Sequence, residues 1–279
     1  MNGTSISNEA SSEEAHIAEQ LVRARLEARV LTQYPGTVPA DFAAAYRIQD
    51  AGIARWPEPI GGWKVSIDLS KGWGEWGEER LIGPAFASSI RTAAQGQVID
   101  VPVIGRSYPG VEAEVVVRVG RDAPPDKFDW TLDEAAEMVG EACIGVEVVS
   151  NALARSVECN LAALTSDFGW NFGIVIGKPI PNWYLLEEVA AQVFIDGQPA
   201  PHFHRGVLQL RTREGALGGL AFALGLCARR GHPLKAGAAI ATGTVTGGLI
   251  GLAPGQTSRH VFEGLGEVQC HAVEAKPRN

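Results

Sequence analysis

The sequence predicts an α+β fold, with a small helical region at residues 1–60 and a β-rich core at 61–279. Two observations carry this. Apolar residues recur at helical spacing mainly before Gly61. After it, short apolar runs rich in valine and isoleucine alternate with turn residues, and most of the 33 glycines lie there. No βαβ rhythm or internal repeat is present, so the class is not a doubly wound sheet or a solenoid.

The elements follow in order. Residues 1–12 read as a disordered tail. Ala15, Ala18, Leu21, Val22, Leu26 and Val30 predict a helix from Ser12 to about Leu31, capped by Ser11 or Ser12. A second helix follows Val38-Pro39-Ala40-Asp41 and runs to Ile53; Pro57 and Pro59 close this part. Strands are expected at Trp63–Ile67, Gln97–Val103, Val111–Val119, Cys143–Val149, Phe172–Gly177, Ala190–Ile195, Ala239–Thr242 and Glu267–Val273. Two helical patterns interrupt them. One spans Thr131–Glu141 and opens on the capping box Thr131-Leu132-Asp133-Glu134. The other covers Ala216–Arg230 and stops at Gly231.

The 279 residues are 46% apolar and 20% charged, an ordinary globular composition. A net charge of −8 without a basic cluster argues against nucleic-acid binding. No apolar run approaches the roughly 18 residues of a membrane span. The acidic, polar stretch Asn2–Glu14 resembles neither a signal nor a transit peptide. Cys143, Cys159, Cys227 and Cys270 show no zinc or redox spacing, which predicts free thiols in a reducing cytoplasm.

The chemistry concentrates in Val111-Glu112-Ala113-Glu114-Val115-Val116-Val117. Strand side chains alternate, so Glu112 and Glu114 share one face beside core residues. Two like charges so placed are costly to bury, and a hard divalent cation relieves both burial and repulsion. Glu147 lies in a similar run, Gly145-Val146-Glu147-Val148-Val149, and completes a possible three-carboxylate ligand set. Glutamates alternating with valine also suit the wet face of an edge strand, and both readings stand at this point. Lys64, between Trp63 and Val65, is a candidate for proton transfer or for holding a substrate carboxylate. Asp167 and Asn171 form a polar patch that can orient substrate or simply make a turn. Thr242-Gly243-Thr244 offers amides and hydroxyls to a carboxylate, without the spacing of a phosphate loop.

The order of these parts resembles the fumarylacetoacetate hydrolase superfamily, and within it the 2-oxopent-4-enoate hydratase/4-oxalocrotonate decarboxylase branch. The resemblance covers roughly residues 40–273. It rests on Gly62-Trp63-Lys64-Val65, on the Glu112/Glu114 and Glu147 runs, and on Asp167 ahead of Phe172–Gly177. It extends through Arg230-Gly231-His232-Pro233 and Thr242-Gly243-Thr244 to the closing Gly264-Leu265-Gly266.

It implies a β-rich roll with a bent mixed sheet, preceded by helices, and assembly into a homo-oligomer. It implies Mg²⁺ or Mn²⁺ on Glu112, Glu114 and Glu147, and matches Lys64 to the branch's active-site lysine. Beside these, Asp167 reads as a catalytic assistant, and Asn171, Thr242, Gly243 and Thr244 as contacts to the substrate. The expected reaction is hydration of a 2-hydroxy-2,4-dienoate to a 4-hydroxy-2-oxo acid. The alternatives are decarboxylation of a 4-oxalocrotonate-type acid, and C–C hydrolysis of the acylpyruvate type using His16 and Glu19. A non-catalytic binding role is the reading from a different class. One departure stands out. The segment Trp73–Pro84 lacks the Asp and Tyr that such hydratases carry there, leaving Glu78 or Glu79 as substitutes and pointing to a reshaped pocket.

Overall fold

The computed structural model describes residues 10–66 and 80–278. Glu78, Glu79 and most of the atypical segment therefore lie outside the described residues. Two helices, α1 (Ser12–Leu26) and α2 (Phe42–Ile53), precede the first strand. Both begin where a side chain caps them: Ser11 accepts from the Glu14 amide in a capping box, and Asp41 accepts from the Ala44 amide. α1 stops five residues short of the expected Leu31. Ala28 turns left-handed (φ 51°), and the Ala28 and Arg29 amides fold back onto the Arg25 and Ala24 carbonyls, a Schellman ending without glycine.

The chain then forms β1 (Ile60–Val65), β2 (Ile82–Phe86), β3 (Ile90–Thr92), β4 (Val98–Val103) and β5 (Gly110–Val119). After α3 (Leu132–Ala136) come β6 (Val139–Val149), α4 (Leu161–Ser166), β7 (Asn171–Pro179), β8 (Glu188–Ile195), β9 (Gln198–Pro199) and β10 (Arg205–Gln209). Last are α5 (Ala216–Arg229), β11 (Ala239–Thr244), β12 (Ile250–Gly251), β13 (Thr257–Phe262) and β14 (Gly266–Glu274). The Thr131 capping box forms as expected, but α3 ends at Ala136 because Val139 already pairs with Val119 in the sheet.

Two mixed sheets result among the described residues. The larger runs β2-β1-β11-β5-β6-β7-β3, with β12 added beside β5; the smaller runs β10-β8-β13-β14-β4, with β9 beside β8. Strand alternation distributes the long β5 over three environments. Val111, Ala113 and Val115 face the smaller sheet together with Val101, Val193, Phe262 and Val268. Val117 and Val119 pack with Leu220 and Leu224 of α5. Val116 lies with Cys143, Ile174, Ile176 and Ala241 inside the curl of the larger sheet. Glu112 and Glu114 share the parity of Val116, so the curl receives their carboxylates. All four cysteines are free thiols, and no described helix is long and apolar enough to cross a membrane.

Candidate metal centre and its pocket

Five neighbouring strands deliver the site. In the β5–β6 ladder Glu112 stands opposite Glu147, and Glu114 opposite Gly145. Ligand oxygens of the three carboxylates lie within 4.8 Å of one another, the one such cluster among the described residues. On the other side of β5 the register with β11 slips between Ala241 and Thr244. Within that slip Gly243, at φ 126°, points its amide at Glu114 Oε2 (2.6 Å). Thr242 Oγ1 donates to the Val115 carbonyl (2.8 Å), and Thr244 stands opposite Glu114. Across β11, Lys64 of β1 pairs with Ala241, and its Nζ reaches to 3.8 Å from Glu147 Oε1. Asn171, at the start of β7, donates its amide to the same Glu147 oxygen (3.1 Å).

The electrostatics are those of a cation site. Burial, then repulsion from Glu147, raises Glu112 to about 7. Burial followed by repulsion from both neighbours drives Glu114 well above the ordinary range, and burial raises Glu147 against the pull of Lys64. Glu114 Oε1 and Glu147 Oε2 are buried and have no hydrogen-bond partner. Unpartnered buried carboxylate oxygens are expensive. One lysine for three carboxylates leaves negative charge uncompensated, so the donor set fits a hard divalent ion held by oxygen.

A cavity of about 230 Å³ opens beside the cluster. Lys64, Glu112 and Thr244 give its polar end, while Leu161, Leu164, Trp170 and Leu249 give apolar walls. Ser66, just past β1, and Leu81, just before β2, also line it. The two are clasped by Ser66 N–H to Leu81 O (3.0 Å) and Leu81 N–H to Ser66 Oγ (3.0 Å). Phe168, Gly169 and Trp170 all carry positive φ (55°, 62° and 59°), an unusual run of left-handed residues. A side chain at Gly169 would come within 2.9 Å of Lys64 Cε, so this turn packs directly on the lysine stem.

Asp167 is placed differently from the cluster. Its carboxylate takes Arg25 Nε on one oxygen and the Ala152 amide on the other (2.8 Å). Burial raises its carboxyl above the usual value, and Arg25 pulls it part of the way back. Arg25 also donates to the carbonyls of Asn171 (2.8 Å), Asp167 (2.8 Å) and Ser150 (3.2 Å). Asp167 thus holds the loop that presents Asn171, rather than facing the cavity. Sequence reasoning missed Arg25, although it falls on the same helical stripe as Ile17, Ala18, Leu21 and Val22; a lone arginine on an apolar stripe was the available signal. His16 and Glu19 lie on the exposed face of α1, and His202 and His204 are exposed in a loop.

The architecture is the fumarylacetoacetate hydrolase fold. In particular, 4-oxalocrotonate decarboxylase from Pseudomonas putida G7, complexed with calcium and acetate, superposes with a TM-score of 0.72 at 20% identity, over 94% of this chain and 97% of that one. The same enzyme complexed with magnesium and adipate gives 0.71 at 20% identity, over 93% and 97%. Fumarylpyruvate hydrolase from Pseudomonas aeruginosa, in complex with Mn²⁺ and pyruvate, gives 0.57 at 16% identity, over 78% and 91%. No protein-family model and no curated protein sequence matches the chain.

Proposed function

We propose that this protein is a divalent-metal-dependent enzyme that decarboxylates a 2-oxo-3-enedioic acid of the 4-oxalocrotonate type. The observation that carries the reading is the three-carboxylate cluster, with Glu114 and Glu147 buried and Lys64 beside them, opening through the half-buried Glu112 into an apolar-walled cavity. Full-length similarity to a decarboxylase complexed with magnesium and adipate supports the same choice.

Glu112, Glu114 and Glu147 would hold the ion. When bound, Mg²⁺ or Mn²⁺ supplies Lewis-acid polarisation of the C1 carboxylate and the C2 oxygen of the acid. Asn171 and the Gly243 amide fix Glu147 and Glu114 by hydrogen bonds, keeping both carboxylates aimed into the curl. The apolar walls surround the distal carboxylate with few polar partners. That weakens the solvation of the charge that disappears as the C5–C6 bond breaks and CO₂ leaves. The bonding pair passes through C4 and C3 to the C2 oxygen, giving a 2-hydroxy-2,4-dienoate once that oxygen takes a proton. Lys64, which lines the cavity beside Glu147, would deliver it. Thr242 ties β11 to β5, and Thr244 contributes to the polar end of the cavity.

Hydration of a 2-hydroxy-2,4-dienoate, the reaction first expected, is the second reading. The Lys64–Glu147 contact favours it, since a carboxylate 3.8 Å from an ammonium can take the proton of an attacking water while the lysine supplies one to the diene terminus. The engagement of both Asp167 oxygens counts against it, because that carboxylate is not free to activate water. The C–C hydrolase alternative gains no support from the exposed His16 and Glu19.

The test is an assay of the purified protein with 2-oxohex-3-enedioate and, separately, with 2-hydroxypenta-2,4-dienoate, with Mg²⁺, Mn²⁺ or EDTA. Stoichiometric CO₂ release from the first, abolished by EDTA, is expected. Consumption of the second without CO₂ would transfer the assignment to hydration. Inertness towards both in the presence of metal would defeat the reading.

A further inference from the structure

A second cavity, of about 300 Å³, lies where the edge strand β3 of the larger sheet meets the edge strand β4 of the smaller one. Val148 and Val175 belong to the core between the two sheets and line this cavity, whereas Glu147 points the other way into the curl. It is therefore on the opposite face of β6–β7 from the metal cluster.

Its lining is cationic and aromatic. The protein carries a net charge of −8, yet none of the described residues lining this cavity is acidic, and Arg91, Lys276 and Arg278 all do so. Lys276 has no ion-pair partner among the described residues. Arg91 spends one nitrogen on the Asp100 carbonyl, and Arg278 is shared with Glu58. Trp56, Phe86 and Phe172 supply an apolar wall. Cations around an apolar hollow are the complement of a small organic anion with a flat body.

We propose that this cavity binds a small aromatic or conjugated carboxylic acid, independently of the metal pocket. Arg91 and Lys276 take the carboxylate, and the aromatic wall takes the body. Arg25 and Asn171 also line the cavity. Asn171 donates to Glu147 Oε1 and Arg25 holds the Asn171 carbonyl, so an occupant touches the support of a proposed metal ligand from behind.

The experiment is calorimetric titration of benzoate into the EDTA-treated full-length protein, with benzamide as the uncharged isostere and inorganic phosphate as the anion control. Wild type is compared with R91Q/K276Q and with E112Q/E114Q, each checked for an unchanged circular dichroism spectrum. Benzoate should bind one site, weaken as salt is raised, and lose about tenfold or more in affinity in R91Q/K276Q, the scale of one or two charge-assisted bonds. E112Q/E114Q should bind benzoate like wild type, whatever becomes of the proposed decarboxylation. The proposal fails if benzoate does not bind, if benzamide or phosphate binds as well, if R91Q/K276Q is indifferent, or if E112Q/E114Q abolishes binding.

Discussion

Replacing Arg25 with methionine removes the cation that holds Asp167 while preserving most of the side-chain volume. The Arg25 side chain is 3% exposed and that of Asp167 0%, so the aspartate would be left as a buried carboxylate with the Ala152 amide alone. Three carbonyls, of Ser150, Asp167 and Asn171, would lose a donor at the same time. Breaking a buried pair from one side costs about 3–5 kcal/mol, and for a chain of this size that lowers the melting temperature by roughly 6–20 °C. The double variant R25M/D167N should recover part of the loss, because the stranded charge is gone.

The penalty also has a pH signature. Without Arg25 the Asp167 carboxyl rises further above its unfolded value. The folded variant then keeps a proton that the unfolded chain releases, so its deficit grows as pH rises and shrinks in acid. Thermal denaturation of R25M, R25M/D167N and wild type between about pH 5 and 8 reads all of this. A cost below about 1 kcal/mol, the scale of an exposed pair, with no pH trend, would refute the account of Arg25 as the brace of the Asp167 loop.

Three further outcomes are expected. In metal-free protein, Glu112 at about 7 and the raised Glu114 and Glu147 retain protons in the folded state. Their contribution is full below the unfolded value of 4.5 and is lost as pH rises through the folded values. The EDTA-treated protein should thus melt at lower temperature at pH 8 than at pH 6, while added Mg²⁺ should stabilise it more at the higher pH; a melting temperature that rises with pH in EDTA would contradict this. Glu147→Gln should weaken Mn²⁺ binding by more than about 100-fold, beyond the usual effect of residues that only support a ligand, and titration followed by Mn²⁺ electron paramagnetic resonance would detect it. Gly169→Ala places a Cβ within 2.9 Å of Lys64 Cε at φ 62°. It should cost roughly 1–2 kcal/mol of stability and depress turnover by displacing the lysine, and a variant with unaltered kcat would show that the lysine stem need not be held there.

Much of this was legible in the chain. The alternation in β5 and β6 put Glu112, Glu114 and Glu147 on strands, and the capping residues marked both N-terminal helices. What stayed hidden has physical causes. β2 reads poorly because Pro84 interrupts Ile82–Phe86, yet β2 is an edge strand, where a missing N–H is tolerated. Ala28 ended α1 early in a conformation that alanine seldom adopts, so no glycine announced the stop. The partner of Asp167 was unreadable because Arg25 lies 142 positions away. Only the pairing of strands brings both glutamate runs beside Lys64, and periodicity says nothing about which strands pair.

The clasp between Ser66 and Leu81 separates two kinds of freedom. The three proposed ligands sit on β5 and β6, whereas Ser66 and Leu81 line the cavity from the ends of β1 and β2. Removing the Ser66 hydroxyl would therefore loosen one wall of the cavity while leaving the pairing of β5 with β6 untouched.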